Sequence, residues 1–155
     1  MGSEDAGGKR IVATNRKARH EYAILDSWEA GVVLAGPEVK SLREGKVSFK
    51  DSFARIDRGE VWLHSLHISP YDPAGRWNQD PERPRKLLLH AHEIRRLIGK
   101  VEEKGLTLIP LDLYFRGGRI KVTLALARGK QLHDKRETLR KRTQERETRR
   151  AMGKN

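Results

Sequence analysis

Apolar and polar residues alternate most regularly between positions 111 and 126. Leu111, Leu113 and Phe115 share one side of an incoming strand, Gly117-Gly118 allows a tight turn, and Ile120, Val122, Leu124 and Leu126 share one side of the return. A period of two around a glycine pair predicts a β-hairpin. Lys121, Thr123 and Ala125 then point to its other face. Pro110 lacks the amide proton that a ladder needs, so an edge or bulge is expected there. Upstream the period changes. Ile94, Leu97, Ile98 and Val101 follow i, i+3, i+4, i+7, which predicts a helix over 91–104 with Gly105 as its stop. A shorter helix is expected over 36–45, where Pro37 suits the first turn, Gly45 the stop, and Val39 and Leu42 the core side. Glu21 to Leu25 and the run Ala30 to Leu34 predict a long first strand bent at Gly31. Phe53 to Ile56 and Val61 to Ile68 predict two strands joined by a hairpin connection at 57–60. Residues 69–86 hold four of the six prolines and read as a long extended crossing, with Tyr71 and Trp77 tying it to the body.

Five or more short strands with a helix before the final hairpin fit a small, partly open antiparallel barrel of the oligonucleotide-binding (OB) kind. They also fit a small α+β sandwich, and periodicity leaves both open. The length of 155 residues suits one domain with tails. We divide it into a disordered N-terminus (1–10), a body (11–130) and a basic tail (131–155).

Composition narrows the function. The net charge is +12 and charged residues make up 35% of the chain, a balance that favours nucleic acid or an anionic surface as partner. With no cysteine there is neither a disulfide framework nor a thiolate zinc site. No apolar run approaches the ~20 residues of a membrane-crossing helix, and residues 1–10 lack the apolar stretch of a signal peptide, so a cytoplasmic location is expected. No catalytic motif is found: there is no nucleophile elbow, no phosphate-cradling glycine loop with its lysine, and the six histidines lack metal-ligand spacing. We expect neither an enzyme nor a bound metal or cofactor. Basic clusters are the stronger signal. They are Arg16, Lys17, Arg19 and His20; Lys40 and Arg43; Arg83, Arg85 and Lys86; and Lys121, Arg128 and Lys130. Converging on one face, they would form a phosphate-binding stripe, with Tyr22, Trp28, Tyr71, Trp77 and Tyr114 as candidate stacking partners for bases.

The last 26 residues carry ten Lys or Arg against four Asp or Glu, half of the net charge of the chain. They lack aromatic residues and proline, and their only larger apolar side chains are Leu132, Leu139 and Met152. Such a segment buries too little apolar surface to offset its chain entropy and is expected to be disordered when free. Glu137 to Lys141 and Glu145 to Arg149 are nevertheless helix-favouring i,i+4 pairs, each worth only ~0.2–0.5 kcal/mol. The tail is thus poised to become helical against a polyanion.

The motifs resemble a known family in their joint order. Asn15-x3-Arg19-His20-x-Tyr22 is followed by Trp28-Glu29-Ala30-Gly31, Glu38-Val39-Lys40-Ser41-Leu42-Arg43, Arg85-Lys86-Leu87-Leu88-Leu89, and Ala127-Arg128-Gly129-Lys130-x2-His133-Asp134-Lys135-Arg136. Over residues 11 to about 140 the chain resembles small protein B, the SsrA-binding proteins of bacteria. The resemblance implies a non-enzymatic OB-like barrel with accompanying helices. It implies binding to the tRNA-like domain of transfer-messenger RNA and delivery of that RNA to stalled ribosomes for trans-translation. It implies RNA-facing roles for Asn15, His20, Glu29, Leu88 and Lys121; Arg19 and Lys40 are added on charge. It further implies that Gly129, His133, Asp134, Lys135 and Arg136 belong to a motif for the ribosomal decoding centre, and that the tail turns helical in the empty messenger channel. Where the family often has a bulky apolar pair, this chain has Ala151-Met152, so only Met152 can serve there. A monomer is expected.

Two other readings compete: a general RNA-binding or ribosome-associated module whose tail adds only electrostatic affinity, and, more remotely, a membrane-surface binder. The tail lacks the apolar face the last would need. For the free protein, NMR signals beyond about residue 133 should be sharp and poorly dispersed; a stable packed tail helix in isolation would contradict the disorder expectation.

Overall fold

A computed structural model describes residues 4, 5, 8–102 and 105–129. The elements are β1 (Glu4–Asp5), β2 (Lys9–Thr14), α1 (Arg16–Glu21), β3 (Tyr22–Val32), α2 (Gly36–Arg43), β4 (Val47–Ser48), β5 (Phe53–Asp57), β6 (Glu60–His64), β7 (His67–Ile68), a 3-10 segment (Asp72–Trp77), β8 (Arg85–Leu88), α3 (Ala91–Val101), β9 (Leu106–Arg116) and β10 (Arg119–Gly129). The fold is mixed α/β, built on a large antiparallel sheet. Eight strands run in the order β1-β2-β9-β10-β3-β8-β6-β5, and β5 also meets β9 through Ala54 and Leu108. That last pairing closes six strands into a ring, with β2 and β1 extending from β9. Strands β4 and β7 form a separate small pair.

The closed ring encloses the main core. Val61, Leu63, Leu66, Leu97, Leu113, Val122 and Leu124 are fully buried within it. At about 25 cal/mol per Å² this apolar burial is the chief favourable term. The β9–β10 hairpin follows the predicted alternation on its return strand. Its turn needs positive φ at both central residues, which Gly117 (57°) and Gly118 (78°) provide. Pro110 does mark a bulge: Thr123 faces Asp112 while Leu124 faces Pro110, so Leu111 has no partner on β10. The extra residue flips Leu111 away from Leu113 and Phe115. It joins Ile109, Ala125, Ala127 and Ala18 in a second, smaller cluster, so the single-sided alternation expected for 111–115 is corrected. The pairing irregularity of β3 against β10 falls at Leu25, which is skipped where Leu126 pairs with Asp26 and Ala127 with Ile24.

Two elements were not visible in the sequence pattern. β2 lies against β9, and α1 follows it directly. α1 contributes only Ala18 to an apolar cluster, so no periodic stripe announces it. It rests on small side chains: Ala125 and Ala127, both fully buried, leave room for the helix. Two expectations for the middle of the chain also change. Val61 to Ile68 is not one strand. The backbone takes φ 63° at Ser65, and β7 leaves to pair with β4. The Pro-rich crossing contains the 3-10 segment and ends in β8, and Trp77 is 68% exposed rather than tied to the body.

A buried ion cluster explains both changes. Arg85 opens β8 with none of its surface exposed. Its Nε donates to Glu38 Oε2 at 2.7 Å, Nη1 to the Leu66 carbonyl at 2.6 Å and Nη2 to the Pro81 carbonyl at 2.9 Å. Glu38 on α2 also accepts from Arg83 at 2.5 Å and from the Ala35 amide at 2.9 Å. One guanidinium thus holds α2, the β6–β7 turn and the Pro-rich crossing together. Burial pushes the Glu38 carboxyl up, but the Arg83 hydrogen bond, the Ala35 amide and Arg85 outweigh it and leave it below the ordinary 4.5. A carboxyl held lower in the folded state stabilises fully above its unfolded value and loses that contribution as pH falls through the folded one. Stability in urea should therefore drop as pH is lowered below about 4.5. Arg85→Ala, which strands a buried carboxylate, should cost about 3–5 kcal/mol. An unchanged urea midpoint in that variant would contradict the role given to the cluster.

Candidate RNA-facing site

The outer face of the sheet brings together residues that are far apart in sequence. Register places Leu88 of β8 opposite Gly31 of β3, Gly31 opposite Lys121 of β10, Lys121 opposite Tyr114 of β9, and Tyr114 opposite Ile11 of β2. These five form one row across five strands. A second row, two residues along, runs Glu29, Thr123, Asp112, Thr14. Side chains two apart on a strand share a face, so Glu29, Leu88 and Lys121 lie on the same surface. Leu88 is 53% exposed, unusual for a leucine in the middle of a sheet. Gly31 makes this possible: a Cβ there would stand 3.3 Å from the Leu88 Cβ. The absent side chain lets Leu88 lie flat over the strand.

Arg19 joins the same face from α1, where its Nη2 donates to Asp112 Oδ2 at 3.1 Å. His20 is exposed one residue further along α1. Glu29 is held from beside and below. The Tyr114 hydroxyl donates to Glu29 Oε2, and Arg116 Nε lies 3.4 Å from the same oxygen. Tyr114 is 2% exposed, with the Lys9 ammonium 4.3 Å and the Arg116 guanidinium 5.7 Å from its ring centre. Burial and the bond to Glu29 raise its pKa far above the usual phenol value, so the hydroxyl stays protonated and a donor.

The other sequence-predicted residues sit elsewhere or play a different part. Asn15 is 7% exposed, and both polar atoms of its amide are engaged. Its Oδ1 accepts from the Ala18 amide at 3.2 Å as the cap of α1, and its Nδ2 donates to the Pro110 carbonyl at 2.9 Å. It therefore fixes α1, and with it Arg19 and His20, beside the bulge at Pro110. Lys40 is on α2, 6.0 Å from the Tyr71 ring, outside the two rows. Gly129 ends β10 opposite Tyr22, next to a cleft of about 250 Å³ lined by residues that include Lys17, Glu21, Lys50, Asp51 and Ser52. His133, Asp134, Lys135, Arg136 and Met152 lie outside the described residues. The basic clusters do not form one stripe: Arg83 and Arg85 are spent on Glu38, and Lys86 lies 3.4 Å from Glu60. Of the candidate stacking aromatics, Tyr114 is buried and Trp28 sits under Lys100 at 5.6 Å. Arg116 is missing from the sequence-predicted site, and Tyr114 enters it only as a stacking candidate and not as a partner of Glu29. Register could have found them, since Lys121 and Tyr114 pair across a hairpin whose turn was legible.

No group of three or more His, Asp or Glu is placed to hold a metal among the described residues. No described helix is long and apolar enough to cross a membrane. The face combines cations, the held carboxylates of Glu29 and Asp112 and an exposed leucine, the kinds of group through which RNA-binding proteins contact RNA. A family model described as SmpB protein matches residues 12–154. An SsrA-binding protein of Desulforudis audaxviator is 61% identical over 143 residues, covering 92% of this chain and 94% of the relative. Another, of Mycobacterium leprae, is 56% identical over 153 residues, covering 99% and 96%. A solved structure described as "tmRNA-SmpB: a journey to the center of the bacterial ribosome" contains a chain 60% identical to this one; it superposes with a TM-score of 0.66 and covers 76% of this chain and 83% of that one. The chain belongs to the SmpB protein family, which is not enzymatic.

The cap role of Asn15 is open to direct test. Asn15→Ala should destabilise the protein by about 1–2 kcal/mol, read as a lower thermal midpoint, whereas Asn15→Asp should retain most of the cap. Equal midpoints for Ala and wild type would show that α1 does not depend on Asn15.

Proposed function

We propose that this chain binds the tRNA-like domain of transfer-messenger RNA through the outer sheet face and delivers that RNA to stalled ribosomes for trans-translation. Membership of the SmpB family supports this, as do relatives described as SsrA-binding proteins. The observation that carries it is the two-row face, where Glu29, Leu88 and Lys121 come from three different strands to one surface.

The division of labour follows from the chemistry. Lys121 and Arg19 supply cationic contacts for phosphates, and His20 a hydrogen-bonding one, which position RNA without reading sequence. Glu29 accepts hydrogen bonds from base N–H or ribose hydroxyl groups, a preference no cation can supply. Leu88 gives an apolar surface for a base or sugar to pack on. Asn15 acts through α1, and Lys40 extends the basic surface from α2. We read the closed six-strand ring as an OB-like barrel forming a body over 11–130, followed by a basic tail (131–155); the expected N-terminal tail (1–10) is corrected, since Glu4–Asp5 and Lys9–Arg10 add strands β1 and β2 to the sheet. In this reading the protein works as a monomer in the cytoplasm. Gly129, His133, Asp134, Lys135 and Arg136 engage the decoding centre. The remaining tail, with Met152 as its one bulky apolar contact, folds as a helix in the vacant messenger channel.

Body and tail separate in one experiment. A chain ending at Lys130 should bind the tRNA-like domain within about threefold of full length but should not support tagging on stalled ribosomes. Loss of RNA binding on the same truncation would favour a tail that adds only electrostatic affinity. Full tagging would remove the tail from the mechanism.

A further inference from the structure

The polar set behind Glu29 has no part in the fold cluster around Arg85. A tyrosine 2% exposed makes its hydroxyl contact to a carboxylate whose own side chain is 40% exposed. The residue nearest the solvent is therefore anchored by one that solvent barely reaches. Both restraints, the Tyr114 hydroxyl and Arg116 Nε, fall on Oε2. Oε1 carries no hydrogen-bond partner among the described residues. The cations Lys9 and Arg116 lie near the Tyr114 ring, and cations held near an aromatic ring are stabilising. Register puts Lys121 directly opposite Tyr114, so the anchored carboxylate has a cation on the adjacent row.

We propose that Tyr114, assisted by Arg116, is a positioning residue for RNA recognition: it fixes the Glu29 carboxylate so that Oε1 is presented to a hydrogen-bond donor on the RNA beside the phosphate that Lys121 contacts. The proposal rests on the RNA-binding reading of this face. A free glutamate side chain has several rotamers, and ordering one on binding costs affinity. Anchoring Oε2 in the unbound protein removes that cost. It also makes the site selective, since an oriented acceptor beside a cation accepts a base N–H or a 2′-hydroxyl but disfavours a second phosphate. Tyr114 itself touches no RNA in this arrangement and acts through Glu29.

The test measures binding of full-length protein to a fluorescently labelled tRNA-like-domain RNA across a salt series, with an unrelated tRNA as control. Tyr114→Phe keeps the ring and removes the hydroxyl. It should weaken binding by roughly tenfold, as for a lost hydrogen bond to a charged group. The slope of log affinity against log salt should not change, because no phosphate contact is lost. Lys121→Ala should lower that slope by about one. Glu29→Ala should weaken binding at least as much as Tyr114→Phe, and adding Tyr114→Phe to Glu29→Ala should change nothing further. A merely structural tyrosine would cost affinity equally in both backgrounds, which would overturn the proposal. So would wild-type affinity in Tyr114→Phe, or in Glu29→Ala. If Tyr114→Phe does not fold, Arg116→Met at a more exposed position replaces it. Its loss beyond a one-cation slope change must likewise vanish in the Glu29→Ala background, and persistence there overturns the proposal. Should wild-type protein bind the unrelated tRNA as tightly as the tRNA-like domain, the functional reading itself fails. Should the wild type discriminate while Tyr114→Phe binds normally, only the positioning role fails.

Discussion

The structure hangs on a guanidinium with no exposed surface. Arg85 reaches Glu38 on α2, the carbonyl of Leu66 and the carbonyl of Pro81 at once, while Arg83 and the Ala35 amide complete the coordination of Glu38. A buried pair is often no more stable than an apolar replacement, but one with every guanidinium nitrogen hydrogen-bonded strongly restricts the arrangements the chain can take. Here it selects where the Pro-rich crossing ends and where β8 begins. That choice reaches the outer sheet face, because β8 is four residues long and Leu88 is its last. Shifting β8 by one residue would turn Leu88 inward and Leu87 outward, a consequence of the two-residue period of a strand.

Two polar systems therefore share the sheet without competing. The Glu38 cluster is sealed beneath α2 and fixes geometry. The Glu29 set lies on the open face, with one oxygen held by Tyr114 and the other uncommitted. The difference is one of solvent access: full satisfaction suits a buried charge, and partial satisfaction suits a group that must still accept a bond from something else. Asn15 belongs with the first kind although it is close to the second. Its amide oxygen binds α1 and its amide nitrogen binds Pro110, and its influence on the face passes through the helix that carries Arg19 and His20.

Much of the fold could be read from the chain. The final hairpin, α2 and α3 have the period, turn glycines and starting proline that local physics requires, and each is present. Elements without a local signature escaped. α1 has one buried alanine and depends on Asn15 and the gap above Ala125 and Ala127. The break at Ser65 depends on pairing with a strand almost twenty residues earlier. The site was half legible. Glu29, Leu88 and Lys121 were identified through the resemblance rather than through periodicity. Tyr114 was taken for a stacking platform because sequence cannot show that two cations and a carboxylate enclose it.

The sequence alone determined the charge balance, the lack of cysteine, the character of the tail and the existence of the strongly periodic elements, since each depends on residues near one another along the chain. Tertiary structure decided which cations stand on the open sheet face and which are consumed in buried pairs. Arg85 and Lys121 are both basic residues in strands, and only strand register and a buried glutamate separate an internal strut from a surface contact. The closure of the ring, the shallow seat of Leu88 over Gly31 and the anchoring of Glu29 by Tyr114 all join residues dozens of positions apart. Long-range register and burial set those contacts, and neither is a property of any local stretch of chain.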